Sequence, residues 1–198
     1  LLKEWLKAGV MEAGTYSESV LGAPQGGVIS PLLSNIYLNY FDGYWNRCFR
    51  HLGELVRYAD DFVILSKRKA QAEEAINAVK WIMNKLELTL HNEKTRLVDM
   101  YFGKDSFDFL GFNNRFVRFR NKSWKSYWTL QQVPSKKAMK KMRANIKEVF
   151  RSPIRLLLSM DDMVKLLNPK IVGMRNYYAR RFTRPWLWKI EKYINHKF

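Results

Sequence analysis

Two adjacent carboxylates, Asp60 and Asp61, are the residues whose types and spacing point most directly to chemistry. Two short apolar runs flank them, Leu55-Val56 and Phe62-Val63-Ile64-Leu65, and this pattern predicts two strands joined by a tight turn. Neighbouring like charges destabilise each other unless a cation or a proton compensates them. Hard oxygen ligands select Mg²⁺ or Mn²⁺, and such carboxylates build two-metal sites for in-line phosphoryl displacement. A solvated acidic turn is the alternative, because Asp is common in turns.

The acidic pair belongs to the second of four short motifs that follow one another along the chain. These are Gly22-Ala23-Pro24-Gln25-Gly26-Gly27, Tyr58-Ala59-Asp60-Asp61, Asn92-Glu93-Lys94-Thr95 and Phe109-Leu110-Gly111-Phe112. In their order and spacing they resemble the sequence boxes of reverse transcriptases. Alanine at the second position of the acidic motif resembles the form found in group II intron and related bacterial enzymes.

This resemblance implies an RNA-directed DNA polymerase that extends a primer on an RNA template with deoxynucleoside triphosphates and Mg²⁺ or Mn²⁺. The implied fold class is α+β: a polymerase palm with an antiparallel sheet and packing helices, followed by a helical thumb of the maturase type. We expect residues 1–132 to be the C-terminal part of the palm and residues 133–198 to be the thumb.

The resemblance also implies roles for individual side chains. Asp60 and Asp61 would be catalytic metal ligands, and Lys94 would neutralise charge developing on the leaving pyrophosphate. The residues implied to bind or shape the site for nucleotide, template or primer are Gln25, Gly26, Tyr58, Ala59 and Gly111.

Positive charge is concentrated in the second half of the chain. The net charge is +17, yet residues 1–112 carry 13 Lys and Arg against 14 Asp and Glu, whereas residues 113–198 carry 22 against 4. Such a basic region, interleaved with aromatic residues, is typical of a protein that binds a phosphate backbone. The candidates for nucleic-acid contact are Arg118, Arg120, Lys136, Lys137, Lys140, Lys141 and Arg143.

The segment from Leu167 to Tyr178 resembles the maturase-specific thumb region of group II intron proteins. Asn168-Pro169, Gly173 and the aromatic pair Tyr177-Tyr178 carry this resemblance, and Met174 departs from it because a bulky aromatic residue is usual there. The resemblance implies structured intron RNA as a further partner.

Hydrophobic periodicity predicts the elements that must position these residues. We expect a strand hairpin at about 54–66 and further strands at 107–112, 116–119 and 127–130. An extended segment is expected at 90–95. Helices are expected at 31–48, 70–88, 136–150, 160–167 and 186–198, and the first should bury Leu33, Ile36, Tyr37, Tyr40, Phe41, Tyr44 and Trp45.

Three polar or charged features are open to more than one interpretation. Asp42, on the first predicted helix, is interpreted as paired or solvated and not as a metal ligand. Arg57 is placed to meet phosphate, with an ordinary solvated surface charge as the alternative. Asp161-Asp162 are interpreted as residues that favour a helix N-terminus and not as metal ligands.

The single cysteine, Cys48, cannot form an internal disulfide, and we interpret it as a core residue of a cytoplasmic bacterial protein. The sequence contains no signal peptide and no apolar run long enough to cross a bilayer, so no membrane partner is expected. We further expect that the fingers and a palm motif with another catalytic aspartate precede Leu1, and that this stretch alone is inactive.

Two other functions remain open at this point. The chain is alternatively an RNA-binding maturase module that aids intron splicing, with its polymerase residues secondary. Retron, diversity-generating and CRISPR-associated reverse transcriptases share the palm motifs, although Asn168-Pro169 favours the intron type. A structural or protein-interaction domain is the least specific alternative.

Overall fold

The computed structural model describes residues 10–12, 15–17, 29–91, 93–120, 124–151 and 158–198. Helices and three small antiparallel sheets are both present in these ranges, a mixture compatible with the predicted α+β class. The chain divides into two compact units, Leu1–Leu97 and Val98–Phe198. No helix of the described ranges combines the length and the apolar character that a membrane span needs.

The described residues of the first unit form two strand pairs and two α-helices. Strand β1 (Val10–Glu12) pairs with β2 (Thr15–Ser17), and β3 (Glu54–Tyr58) pairs with β4 (Asp61–Leu65). Helix α1 (Ser30–Tyr44) continues as a π turn, Trp45–Phe49, and a 3₁₀ turn, Arg50–Leu52. Helix α2 (Lys69–Lys85) follows the second strand pair. The pairing of β3 with β4 confirms the predicted hairpin.

Helix α1 buries a narrower stripe than its sequence predicted. The buried residues are Leu38, Phe41 and Trp45. Three residues of the expected stripe are exposed instead: Ile36, Tyr37 and Tyr40. The expectation for these exposed residues is therefore wrong within this unit, because only one side of the helix packs on α2 and the hairpin. The buried side of α1 is the one that packs against the inner face of the β3–β4 hairpin.

The π turn also overturns the prediction for Cys48, which is exposed. A π turn contains more residues than an α turn, so it rotates the following side chains around the helix axis. Phe49, rather than Cys48, packs against the core as a result. The buried residues of this core come from α1, the two turns that follow it, and α2 with the residue after its end: Phe41, Trp45, Leu52, Ala75, Ala78, Val79, Ile82, Met83 and Leu86.

The segment after α2 is not extended as predicted. Within the described residues 88–91 and 93–100 there is no strand, and the backbone N–H groups of Lys94 and Thr95 both donate to the carbonyl of His91, at 3.0 and 2.9 Å. These local hydrogen bonds form a turn, which satisfies the backbone without a neighbouring strand.

In its described residues, the second unit combines a 3₁₀ turn (Tyr101–Gly103) and one sheet with three α-helices. Strands β5 (Ser106–Phe109), β6 (Phe112–Arg120) and β7 (Ser126–Pro134) lie in that order in an antiparallel sheet. Helices α3 (Lys136–Arg151), α4 (Met160–Tyr178) and α5 (Arg184–Asn195) follow. Both predicted hairpin strands and all three predicted helices are present, with different boundaries.

Helix α4 runs through Pro169, so the prediction that it ends at Leu167 is wrong. A proline removes one backbone hydrogen bond and disfavours a helix interior. The packing stripe nevertheless continues on both sides of it, because Leu167 is buried and Ile171 and Met174 pack against the same core. Burial of this stripe outweighs the lost hydrogen bond.

Side-chain caps fix where the first two of these helices begin. The backbone N–H of Ala138 donates to Ser135 Oγ at 3.1 Å at the start of α3. At the start of α4, the Asp162 N–H donates to Ser159 Oγ at 3.2 Å, and that hydroxyl donates to Asp162 Oδ2 at 2.7 Å. The interpretation of Asp162 as a residue of the helix start is therefore confirmed.

Candidate functional site

The acidic motif occupies a two-residue turn between β3 and β4. Tyr58 pairs with Asp61 in the strand register, so Ala59 and Asp60 form the loop between them. Ala59 has a φ of 53°, in the left-handed region that L-residues other than glycine rarely adopt. Tight two-residue hairpin loops need this backbone geometry, and such strained positions are frequent at functional sites.

Strand alternation gives the hairpin two different faces. Leu55 and Phe62 point toward the core, with the Phe62 ring centroid 5.1 Å from that of Phe41. The opposite face carries Tyr58, which is 66% exposed, next to its exposed strand partner Asp61. The tyrosine and the acid are therefore presented together, away from the core.

The charges of Asp60 and Asp61 are not compensated by the part of the chain that the structure describes. Both residues are exposed, and neither forms an ion pair with any described residue. Their oxygen donors fit a hard divalent cation such as Mg²⁺. In the described ranges, however, no group of three or more potential metal ligands is assembled, so this pair is a partial ligand set.

Arg57 is the cation next to the acidic motif in sequence, and it contacts the backbone of this motif and helix α1 rather than the carboxylates of Asp60 and Asp61. Its Nε donates to Asp42 Oδ1 at 2.8 Å, and its Nη2 pairs with the other oxygen of the same carboxylate. Its Nη1 donates to Asn35 Oδ1 at 3.1 Å and to the carbonyl oxygen of Ala59 at 2.7 Å. The hydrogen bond to Asp42 raises the pKa of the Arg57 guanidinium.

These contacts decide between the earlier interpretations of two residues. Asp42 is paired, as the sequence indicated. The Arg57 side chain is only 11% exposed and its guanidinium is bound by protein groups. Both expectations for it, contact with phosphate and an ordinary solvated surface charge, are therefore wrong in this conformation. Sequence inspection missed Asn35, because a lone asparagine on a helix carries no motif.

For the other predicted residues of the first unit, the described contacts provide no link to the hairpin. Lys94 is exposed and lies in the turn after α2, where its described contact is a backbone one, to His91. Gln25 and Gly26 lie outside the described residues. Their roles therefore stay predictions.

In the second unit, Gly111 lies in the turn between β5 and β6. Leu110 and Gly111 have φ values of 49° and 78°, and Phe109 pairs with Phe112 on either side of them. A Cβ on Gly111 would lie 2.7 Å from the hydroxyl oxygen of Tyr178. Both the backbone conformation and this close approach require glycine.

The end of helix α4 holds the same turn. Tyr177 donates its hydroxyl hydrogen to the carbonyl oxygen of Leu110 at 2.9 Å. The ring of Phe112 lies 5.6 Å from that of Tyr177 and 5.1 Å from that of Tyr178. Burial, and secondly the neighbouring Tyr177, raise the pKa of the Tyr178 phenol. The β5–β6 turn and the end of α4, which are far apart in sequence, therefore contact each other through these aromatic rings.

The predicted nucleic-acid residues are exposed on the second unit. Arg118 and Arg120 share one face of β6, and the Arg120 guanidinium lies 5.2 Å from the ring centroid of Trp124. The basic residues of α3 lie off its buried stripe and form no ion pair with any described residue: Lys136, Lys137, Lys140, Lys141 and Arg143. Uncompensated charge of this density favours a polyanionic partner.

Comparison with known protein families shows the family to which the chain belongs. Residues 1–114 match the family described as reverse transcriptase (RNA-dependent DNA polymerase), so the chain belongs to the reverse transcriptase family. Residues 139–198 match the group II intron, maturase-specific domain, which identifies the group II intron type.

Three relatives show how far the similarity extends. Protein YkfC of Escherichia coli strain K12 is 32% identical over 170 residues, 70% of this chain and 43% of that protein. An uncharacterized 91 kDa protein in the cob intron of Schizosaccharomyces pombe is 24% identical, covering 90% of this chain and 30% of that protein. The group II intron-encoded protein LtrA of Lactococcus lactis subsp. cremoris is 50% identical over 42 residues, 21% of this chain and 7% of that protein. The chain spans less than half the length of each.

Proposed function

We propose that this chain supplies the catalytic turn and the thumb of an intron-encoded RNA-directed DNA polymerase. The observation that carries the proposal is the tight turn of β3 and β4, which presents the uncompensated carboxylates of Asp60 and Asp61 beside an exposed tyrosine. Residues 1–132 would belong to the palm and residues 133–198 to the thumb. Membership of the reverse transcriptase family supports the reaction class.

In this proposal Asp60 and Asp61 hold divalent cations, Mg²⁺ or Mn²⁺. Such ions, when bound, activate the primer hydroxyl and stabilise the leaving pyrophosphate. Tyr58 shapes the primer side of the site, and Ala59, beside it in the turn, is a further substrate-binding residue. We expect a third carboxylate to complete the site, because two carry too little charge to hold two dications in register.

The remaining predicted residues would contact the substrates. Gln25 and Gly26 would line the pocket for the incoming deoxynucleotide and the template, and Lys94 would offset charge on the triphosphate. The turn at Gly111 would grip the end of the primer. An RNA template paired with its primer would meet the basic residues of β6 and α3, whose cationic side chains suit a phosphate backbone.

Primer extension in Mg²⁺ tests the proposal. We expect the natural protein that contains this sequence to extend a DNA primer on an RNA template. Asp60→Asn should lower the rate by about a hundredfold or more, because it removes negative charge with little change in volume. Asp161→Asn, an exposed aspartate at the start of α4, is the matched control and should leave the rate unchanged.

Two outcomes would contradict the proposal. One is an Asp60→Asn variant that extends primers at the rate of the natural protein. The other concerns the 198-residue chain on its own, for which we expect no extension. Extension by this chain in Mg²⁺, lost on Asp60→Asn, would refute the requirement for a third carboxylate while supporting the role of the turn.

A second function, support of intron splicing by RNA binding, is favoured by the match of residues 139–198 to the maturase-specific domain. Its test is a salt titration of binding to structured intron RNA and to a random duplex. Phosphate contacts alone weaken equally with salt for both RNAs. A preference for the intron RNA that survives high salt would support recognition of RNA shape, and equal binding throughout would contradict it.

A further inference from the structure

The turn that carries Asp60 is held in place through the carbonyl oxygen of Ala59. Arg57 Nη1 donates to this oxygen at 2.7 Å, from the strand that leads into the turn. Because Ala59 is in the left-handed region, its carbonyl direction is set by an unusual backbone conformation. A donor fixed at that oxygen therefore favours this turn geometry over the alternatives.

The guanidinium is itself fixed by helix α1. Asp42 binds it through two oxygens, and Asn35 accepts from Nη1. These two residues lie seven positions apart, which places them on the same side of the helix. Helix α1 is anchored in the core through Phe41, and the π turn that continues it through Trp45, both 0% exposed. A continuous set of contacts therefore links the core to the turn.

We propose that Arg57 is a positioning residue for the catalytic carboxylates, a role that rests on the proposed polymerase function. Its planar fork makes four hydrogen bonds at once, to a carboxylate, an amide and a carbonyl, whereas the ammonium of lysine has only three N–H donors and lacks the planar fork. The guanidinium is nearly buried and bound by these protein groups, so it acts through the Ala59 carbonyl and does not contact the substrate. Asp42 and Asn35 orient it.

The test is single-nucleotide addition by the natural protein and its Arg57→Lys variant. Lysine keeps the charge but loses the simultaneous contacts, so we expect kcat to fall by about ten- to a hundredfold, as misplaced catalytic groups cause. The KM for the deoxynucleotide and the affinity for primer and template should stay within about twofold. Arg47→Lys is the control, because exposed Arg47 also donates to a carbonyl, that of Gly43, at 3.1 Å.

A second variant separates positioning from folding. Asn35→Ala leaves the ion pair with Asp42 intact and removes one restraint, so kcat should fall a few-fold at unchanged thermal stability. Unchanged kcat in both Arg57→Lys and Asn35→Ala, alongside an inactive Asp60→Asn variant, would overturn the inference and leave the polymerase function standing. An active Asp60→Asn variant would instead remove the function on which the inference rests.

A different observation, in the second unit, carries a second inference. We infer that Tyr177 positions the turn at Leu110 and Gly111 through its hydroxyl, and that this turn acts on the primer as proposed above. The contact joins residues 67 positions apart, and Tyr177 lies in the segment that matches the maturase-specific domain. The ring of Tyr178 closes the space above Gly111.

The test is the affinity of the natural protein for a primer–template duplex. Tyr177→Phe removes the hydroxyl and keeps the ring, so we expect the Kd to rise about two- to tenfold, the range for one hydrogen bond. The kcat at saturating duplex should not change. Tyr101→Phe is the control, because Tyr101 is 71% exposed. An unchanged Kd, or a lower kcat at saturation, would overturn this inference in a protein that extends primers.

Discussion

The two hairpin turns of this chain are built alike and held differently. Each has two loop residues, and each receives a side-chain hydrogen bond at the carbonyl of the first of them. Arg57 donates to Ala59 at 2.7 Å, and Tyr177 donates to Leu110 at 2.9 Å. The first loop residue has a positive φ in both turns, at Ala59 and Leu110, whereas the second loop residue has one only in the β5–β6 turn, at Gly111.

The difference lies in the origin and charge of the donor. The turn with the acids is held from its own strand by a guanidinium whose charge a helix carboxylate balances. The other turn is held by a neutral phenol from the end of α4. A local, charged contact forms with the hairpin and α1 alone, whereas the long-range contact requires the helices that match the maturase-specific domain. The geometry of the acidic turn therefore does not depend on the contact made by α4.

The largest effect on stability should come from breaking the charged contact on one side. Asp42→Ala leaves the nearly buried Arg57 guanidinium without its carboxylate, and we expect the free energy of unfolding to fall by about 2–3 kcal/mol. Arg57→Met combined with Asp42→Leu should cost less, because no charge is left uncompensated. Urea denaturation measures both. A double variant that loses as much as Asp42→Ala would show that the guanidinium was not the cause.

Substitutions at the loop residues Gly111 and Ala59 should have smaller effects on the free energy of unfolding, and the two turns should respond differently. Gly111→Ala places a side chain at φ 78° and against Tyr178, and we expect it to cost about 1–2 kcal/mol. Ala59→Gly relieves a left-handed residue but makes the unfolded chain more flexible, so its net effect should stay within about 0.5 kcal/mol. Equal losses in urea denaturation would contradict the difference between the turns.

The smallest effect should be the decline in stability at high pH that arises from Tyr178, at the turn of Leu110 and Gly111. Burial raises the pKa of Tyr178, so its contribution to stability is full below about pH 10, the usual tyrosine pKa, and is lost as the pH rises further. Tyr178→Phe should therefore flatten the decline in stability above pH 10. Tyr44, whose pKa is also raised chiefly by burial, contributes equally to both proteins. An identical decline in the variant would contradict this assignment.

How much of this the sequence could predict depends on the distance between contacting residues. Alternation around the acids predicted β3 and β4, and the glycine in Phe109-Leu110-Gly111-Phe112 predicted the second turn. Both are local patterns. The donors to the two turns were not predicted, because Arg57 resembles any surface arginine and Tyr177 lies 67 positions from its acceptor.

Element boundaries failed where packing overrode local preference. Pro169 signals a helix end, yet burial of Leu167 and of the partly buried Met174 keeps α4 continuous. The π turn after Tyr44 rotates Cys48 out of the core, and no periodicity rule anticipates such a turn. The apolar stripe of α3 predicted correctly that its lysines lie off the buried face. The nucleic-acid partner that the charge asymmetry indicates stays a prediction.

Manganese binding tests most directly whether Asp60 and Asp61 hold divalent cations. Electron paramagnetic resonance would count Mn²⁺ bound to the natural protein in complex with primer, template and a non-incorporable nucleotide. We predict that Asp60→Asn reduces the bound Mn²⁺ while duplex affinity is kept, and that the control Asp161→Asn binds Mn²⁺ normally. The same number of Mn²⁺ ions bound with the same affinity in Asp60→Asn would contradict the assignment of this turn as a metal site.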